Sequence, residues 1–137
     1  MANTYKDFAG WSEYKAHLQT KAKPPFFHER EVWWTAIGHN IGSEEDGKGI
    51  KYARPVLIVR KFNQHLFWGI PLTTTQRTGK YYLNFMYTNK RLSTAILSQL
   101  KAFDGKRLLT RGGIIAELDF AKIQLGLVNI IRKEPQK

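Results

Sequence analysis

The chain of 137 residues is short enough for one domain and long enough to bury a single core without disulfides or metals. It has no cysteine, which excludes a disulfide scaffold, a thiol nucleophile and the usual structural zinc sites. A net charge of +11 favours nucleic acid, an anionic membrane or an acidic protein as a partner. No apolar run approaches the roughly 20 residues of a membrane span, and the first residues do not resemble a signal peptide. We therefore expect a soluble cytoplasmic protein that does not bind membranes.

A helix is predicted over residues 1–23. Its apolar residues recur at three- to four-residue spacing and form one stripe, made of Tyr5, Phe8, Trp11, Tyr14 and Leu18. We expect the helix to end at Lys23–Pro25, because a proline pushes the residue before it out of helical geometry. The stripe indicates packing against the rest of the chain or against a partner.

From Glu31 onwards the pattern is typical of β-strands, because β-branched and aromatic residues alternate with short turn segments. The predicted strand segments are Glu31–Gly38, Arg54–Phe62, His65–Leu72, Gly79–Tyr87, Ser93–Asp104 and Arg107–Ile115. The glycine-rich stretch His39–Ala53 is predicted to be a long, mobile loop.

The last segment returns to helical spacing. Its apolar face is formed by Phe120, Ile123, Leu127, Ile130 and Ile131, and Asp119 is predicted to cap the helix. The pattern as a whole predicts a mainly β fold of class α+β. We expect a small, curved, antiparallel sheet or barrel with a C-terminal helix and an extra N-terminal helix.

The sequence gives little sign of a metal site or of a nucleophilic triad. The histidines are His17, His28, His39 and His65, and no two of them have the spacing of a metal-binding pair. No serine stands in a glycine-flanked nucleophile motif, and the glycines of the long loop match no nucleotide-binding pattern. We expect neither a metal nor a cofactor.

Arg54 and Thr73 are the strongest candidates for a site. An arginine at the start of a strand is usually solvated or paired with a carboxylate, here Glu44 or Glu45. It could instead bind an anion, since a guanidinium suits phosphate and a hydroxyl can donate beside it. If their two strands are adjacent and antiparallel, Arg54 faces Thr73 across the sheet, and a phosphate would fit between them.

Several segments, in their order and spacing, resemble the MazF/PemK (Kid-like) toxins of bacterial type II toxin–antitoxin systems. They are "EVWWTAIG", "IGSEEDGKG", "RPVLIV", "IPLTT" and "ILSQLKAFDGKRL". The resemblance covers roughly Glu29 to Ile131. It implies two regions: an N-terminal helical extension and linker over 1–28, and an SH3-like, CcdB/MazF-type barrel domain over 29–137.

The resemblance also implies an activity and partners. Members of this family form homodimers and cut single-stranded RNA at short sequences without a metal. The 2′-hydroxyl attacks the adjacent phosphate and leaves a 2′,3′-cyclic phosphate and a 5′-hydroxyl. An acidic antitoxin would inhibit the toxin, and the two together would bind DNA.

Site residues follow from the resemblance position by position. Arg54 matches the family's catalytic arginine and Thr73 its catalytic threonine. Because an arginine keeps its proton in proteins, we assign Arg54 to stabilising the phosphorane rather than to donating a proton. Glu44 matches the active-site glutamate of the loop and is the candidate base.

Residues predicted to bind RNA are Ser43, Lys48, Lys51, Arg60, Thr74, Arg77, Lys80 and Gln99. Phe62, Trp68 or Tyr52 could stack on a base, although burial is expected for Trp68. The stretch from Glu44 to Arg54 is longer than the usual family loop, so the cleavage sequence cannot be transferred.

Two alternative functions fit the same fold. One is a CcdB-like toxin that binds DNA gyrase, and the other is a non-catalytic module that binds RNA or protein. The pairing of Arg54 with Thr73 favours the nuclease, because a gyrase binder needs neither residue.

Overall fold

The computed structural model describes residues 5–87 and 91–133. Their helices and strands are α1 (Phe8–Gln19), β1 (Glu31–Ala36), β2 (Ala53–Lys61), β3 (Leu66–Thr73), β4 (Tyr82–Tyr87), β5 (Arg91–Ile96), β6 (Lys101–Asp104), β7 (Leu108–Ile114) and α2 (Glu117–Arg132). The predicted α+β class with antiparallel strands and two flanking helices is confirmed.

Strand β3 is the centre of the sheet. Its first edge pairs with β2, and its second edge pairs with β5 near Thr73 and with β6 near Leu66. The prediction of a single strand over Ser93–Asp104 is therefore wrong, because a 3₁₀ turn at Leu97–Gln99 separates β5 from β6. Apart from β6, the strands lie in the order β4-β5-β3-β2-β1-β7. Among the described residues the two end strands of this order do not pair, so the sheet does not close into a complete barrel.

Both faces of β2 are buried, which explains why its sequence is a continuous apolar run. Leu57 and Val59 belong to the core cluster that includes the buried face of α2. Val56 and Ile58, which point to the opposite face, pack in a second cluster with Phe27, Phe67 and Phe103. Strand β2 is thus fixed from both sides, and its first residues have a defined place.

Helix α2 begins one turn earlier than its predicted cap. Its N-cap is Ala116, which makes no side-chain capping bond, and Asp119 lies within the first turn. There the carboxylate interacts favourably with the helix dipole, but the prediction that it caps the helix is wrong. Phe120, Ile123 and Leu127 are buried as predicted, whereas Ile131 is 72% exposed and lies off the packed face.

Helix α1 is shorter than the predicted 1–23 helix and packs on the sheet rather than standing apart. Trp11 and Leu18 are buried with Ala36 and Tyr52, and Tyr14 packs against them. Trp11 lies directly over Gly38, which has φ +87 and follows the end of β1. A Cβ on Gly38 would come within 2.1 Å of the indole ring, so only glycine allows this contact.

We predict that Gly38→Ala destabilises the fold more than Gly42→Ala. Both glycines have a positive φ, so both substitutions carry backbone strain, but a Cβ on Gly42 meets nothing within 4 Å. The difference in the free energy of unfolding, measured by denaturant titration, should be about 1–3 kcal/mol, the usual cost of overpacking. Equal losses in the two variants would show that Trp11 does not need this close approach.

Candidate active site

Arg54 is held by three groups at the start of β2. Its Nε donates to the carbonyl of Asp46 at 2.7 Å, and its Nη1 donates to the carbonyl of Leu72 at 3.2 Å. Nη1 also lies 3.7 Å from a carboxylate oxygen of Glu45, and the side chain is only 14% exposed. Nη2 has no partner among the described residues, and no described polar side-chain atom is both buried and unpaired, so Nη2 reaches solvent. The guanidinium is therefore fixed while one of its nitrogens stays available to an anion.

Thr73 lies beside Arg54, as the predicted hairpin topology requires. Strands β2 and β3 are antiparallel with Val56 opposite Pro71, and two residues further along this register places Arg54 opposite Thr73. The Thr73 hydroxyl oxygen accepts from the backbone N–H of Thr75 at 3.2 Å. Since a hydroxyl can accept and donate at once, its proton remains available.

The two residues share a cleft of about 400 Å³, which we call the Arg54 cleft. Its polar lining consists of hydroxyls and cations: Lys48, Arg54, Thr73, Thr74, Thr75, Tyr87 and Ser93. Trp34, 44% exposed, forms part of the same wall. Among the described residues no carboxylate lines this cleft. It is a concave surface of hydrogen-bond donors, suited to a phosphate and not to a cation.

A second cleft of about 410 Å³, the Glu44 cleft, is lined by Ser43, Glu44 and Glu45 of the β1–β2 loop and by the β5–β6 turn. Glu44 lines it, and one carboxylate oxygen of Glu44 accepts from the N–H of Ile41 at 3.0 Å. Gln99 ties the loop to the sheet, since it donates to the carbonyl of Ser43 at 2.9 Å and accepts from the N–H of Glu45 at 3.1 Å. The structure thus places Glu45, and not Glu44, beside Arg54.

Lys101 brings a positive charge to the Glu44 cleft. Partial burial and the positive charge of Arg107 lower the pKa of Lys101, and the carboxylate of Glu44 opposes that shift. Sequence reasoning missed this lysine, because nothing in the chain order shows that β6 lies next to the loop.

Four of the residues predicted to bind RNA line one of the two clefts. Lys48 and Thr74 line the Arg54 cleft, and Ser43 and Gln99 line the Glu44 cleft. They are the part of the predicted RNA surface that lies next to Arg54 or to its loop.

The other four lie outside both cleft linings. Arg60 is at the opposite end of β2, about 20 Å from Arg54 at roughly 3.3 Å per residue, and pairs with Glu29 at 3.8 Å. Arg77 and Lys80 lie on the exposed β3–β4 loop against tyrosine rings. Lys51 is close enough to Lys21 to help lower the pKa of that lysine, the main cause being burial.

The aromatic residues predicted to stack on bases are not in the clefts. Tyr52 is buried beneath α1. Phe62 and Trp68 contact each other edge to face, with ring centroids 5.1 Å apart, near the far end of the β2–β3 hairpin. The expected burial of Trp68 is wrong, since it is 43% exposed. Trp34 and Tyr87 line the Arg54 cleft instead, and sequence reasoning missed both.

Residues 5–87 and 91–133 contain neither a cluster of metal ligands nor a membrane-spanning helix. No three histidine, aspartate or glutamate side chains come together as a metal site would require. No described helix is long and apolar enough to cross a membrane.

The sequence profile of the PemK-like, MazF-like toxins of type II toxin–antitoxin systems matches residues 28–131. The chain belongs to this family. The family predicted from the ordered motifs is thereby confirmed, and the toxin's helix α1 lies outside the matched residues. No curated protein matches the chain in sequence.

Solved structures show the same fold. The toxin is similar to MazF (Form-I) from Deinococcus radiodurans, with a TM-score of 0.60 and 14% identity over 80% of this chain and 97% of that one. It is similar to the toxin MazF-mt6 of Mycobacterium tuberculosis, with a TM-score of 0.58 and 15% identity over 75% and 97% of the two chains. A mycobacterial endoribonuclease in complex with its cognate antitoxin gives a TM-score of 0.59 and 16% identity over 82% and 100%.

Proposed function

We propose that this toxin is a metal-independent endoribonuclease that cuts single-stranded RNA at specific sequences, an mRNA interferase. The observation that carries the proposal is the arrangement of Arg54, whose Nε and Nη1 are fixed, whose Nη2 is unpaired and reaches solvent, and which lines one cleft with Thr73. Family membership supports it, as does the naming of similar structures as endoribonucleases.

The reaction is a transesterification within the RNA strand. The 2′-oxygen attacks the adjacent phosphorus and its proton passes to a base, while the bond to the 5′-oxygen breaks and that oxygen takes a proton from water. The products are a 2′,3′-cyclic phosphate and a 5′-hydroxyl. Arg54 and the Thr73 hydroxyl would donate to the phosphorane oxygens, where preorganised donors stabilise developing charge most strongly. Lys48, in the same cleft, would add a second positive charge.

A loop carboxylate would accept the proton. Glu44 is the candidate that the resemblance implies, but Glu44 and Glu45 both line the neighbouring cleft, and no ion pair joins Glu44 to Arg54 among the described residues. Glu45 is the carboxylate beside Arg54, at 3.7 Å. Glu44 and Glu45 both belong to the β1–β2 loop. Two matched substitutions can show which of them acts as the base.

The predicted RNA-binding residues divide into two groups by position. Thr74 and Lys48 would contact the strand at the scissile phosphate, with Trp34 and Tyr87 offering faces on which a base can stack. Ser43 and Gln99 would contact it in the Glu44 cleft. Lys51, Arg77, Lys80 and Arg60 would act only on more distant phosphates.

Three partners complete the proposal: single-stranded RNA, an acidic antitoxin and a second copy of the toxin. The net charge of +11 favours the first two, and a similar structure is a complex with a cognate antitoxin. The exposed apolar residues of α2, among them Leu118 and Leu125, offer a surface for a protein partner.

We expect Arg54→Ala to lower kcat for cleavage of a mixed-sequence RNA in excess EDTA by about 10²–10³-fold, the usual cost of one oxyanion donor. Arg54→Lys should restore little, because an ammonium cannot keep the Asp46 and Leu72 bonds and also reach the phosphate. Lys122→Ala, which removes one charge from the exposed side of α2, is the control and should cut at the wild-type rate. Cleavage that survives in Arg54→Ala would contradict the proposed site, and cellular toxicity that survives without cleavage would favour a gyrase-type binder.

A second prediction identifies the base by comparing Glu44→Gln with Glu45→Gln. Replacing the general base should lower kcat about 10²–10⁴-fold and remove the acid limb of the pH–rate profile. Because Glu45 lies beside Arg54, we expect the larger loss in Glu45→Gln. A larger loss in Glu44→Gln would assign the base to Glu44 and require the loop to move when RNA binds.

A further inference from the structure

We propose that the N-terminal segment, residues 5–22, positions Arg54 by holding the β1–β2 loop, residues 37–52. The effect on catalysis rests on the proposed ribonuclease function. The effect on the loop does not, and it can be measured separately. The segment lies outside the residues matched by the family profile, so the family as such does not account for it.

Lys6 is the first contact between the segment and the loop. Its ammonium donates to the carbonyl of Asn40 at 2.6 Å and to that of Gly42 at 3.2 Å, and it lies 3.1 Å from a carboxylate oxygen of Asp46. The Lys6 side chain is 18% exposed, so this ion pair is shielded better than an ordinary surface pair. The Lys6 ammonium therefore contacts three residues of the loop, Asn40, Gly42 and Asp46.

Asp46 connects Lys6 to the site. Its second carboxylate oxygen accepts from the N–H of Asn40 at 2.6 Å, which closes the loop on itself. Its own backbone carbonyl is the group that holds Nε of Arg54 at 2.7 Å. A displacement of Asp46 would therefore move the acceptor that aims the guanidinium.

Asp7 and α1 hold the other end of the loop. The hydroxyl of Tyr52 donates to the carboxylate of Asp7 at 2.8 Å, and the N–H of Asp7 donates to Nδ1 of His39 at 2.8 Å. Together with the N–H of Gly10, which is the stronger cause, the Tyr52 hydroxyl holds the pKa of Asp7 below its usual value. Asp7 thus links the start of α1 to both ends of the loop, at His39 and at Tyr52.

Tyr52 is itself held in a demanding conformation. It is a non-glycine residue with φ 52, two positions before Arg54. Its carbonyl accepts from the N–H groups of Ile37 and Gly38, and its ring packs 5.5 Å from the ring of Trp11 in α1. A left-handed tyrosine persists only where its surroundings hold it, and α1 supplies most of those surroundings.

These contacts make the segment a brace for the catalytic arginine. It holds the loop at Asn40 to Asp46 on one side and at Tyr52 on the other, and Arg54 lies directly after the second hold. Loss of the brace should leave the sheet folded and let the loop, and with it Arg54, adopt several positions. Such misplacement reduces kcat because the donor is no longer fixed where charge develops.

The test compares Lys6→Met, Asp46→Asn and the double variant with Lys6→Arg. Lys6→Met keeps the aliphatic stem, and Asp46→Asn keeps the side-chain oxygen that accepts from Asn40. Lys122→Met, on the exposed side of α2, is the matched control for loss of a lysine charge. Hydrogen exchange of the amides of residues 40–47 is measured first, and then kcat and KM for RNA cleavage.

In Lys6→Met we expect exchange in residues 40–47 to quicken about tenfold or more, with little change in β3. We also expect kcat to fall about tenfold or more while KM stays within about twofold, since positioning and not affinity is lost. Lys6→Arg should stay close to the wild type. The double variant should be no worse than Lys6→Met alone, because that substitution already removes the ion pair with Asp46.

Unchanged exchange in Lys6→Met would overturn the proposal, as would faster exchange with an unchanged kcat or an equal loss in Lys122→Met. A wild-type toxin that cuts no RNA would instead overturn the proposed ribonuclease function. The exchange rates would then still decide whether the segment holds the loop.

Discussion

The site depends on how one guanidinium is held. Arg54 is bound to the carbonyl of Asp46 in the loop and to the carbonyl of Leu72 in β3, with the carboxylate of Glu45 alongside. Both acceptors are backbone carbonyls, which a side-chain substitution does not remove. The position of the guanidinium is therefore set by the backbone path of the loop and by the register of the sheet. Its remaining nitrogen is unpaired and reaches solvent, so it can bind an anion without first breaking another bond, and such preorganised donors stabilise a transition state strongly.

The rest of the structure can be understood as support for that arrangement. Strand β2 is buried on both faces, which fixes the backbone from which Arg54 projects, while the Asp46 carbonyl of the loop aims the guanidinium. Strand β3 carries Thr73 opposite Arg54 and offers the Leu72 carbonyl from its own edge. The loop is held by Gln99 from the β5–β6 turn and by the N-terminal segment from the other side. A side chain that depends on a hydrogen bond to a long loop is positioned well only if that loop has such anchors.

The sequence predicted the parts that depend on local pattern. The alternation of apolar and polar residues, together with the β-branched residues, predicted the strands. Hairpin topology alone predicted that Arg54 lies opposite Thr73. What it missed depends on long-range placement. The break in Ser93–Asp104 arises because two partners share one edge of β3. Whether Glu44 or Glu45 turns towards Arg54 depends on the Gln99 clamp, 54 residues from Glu45 along the chain. Trp34 and Trp33 are neighbours in a strand, and their order does not say which of them faces the core.

In the proposed mechanism the 2′-oxygen of the substrate is the nucleophile in the Arg54 cleft. The most direct measurement uses an RNA strand that the toxin cuts, and the same strand with a 2′-deoxy nucleotide at the cleavage site, both in excess EDTA, with product ends read by mass spectrometry. We expect the RNA to yield a 2′,3′-cyclic phosphate and a 5′-hydroxyl, and the substituted strand to stay uncut at that position. Cleavage of the 2′-deoxy strand at the same position, or loss of all cleavage in EDTA, would contradict this mechanism.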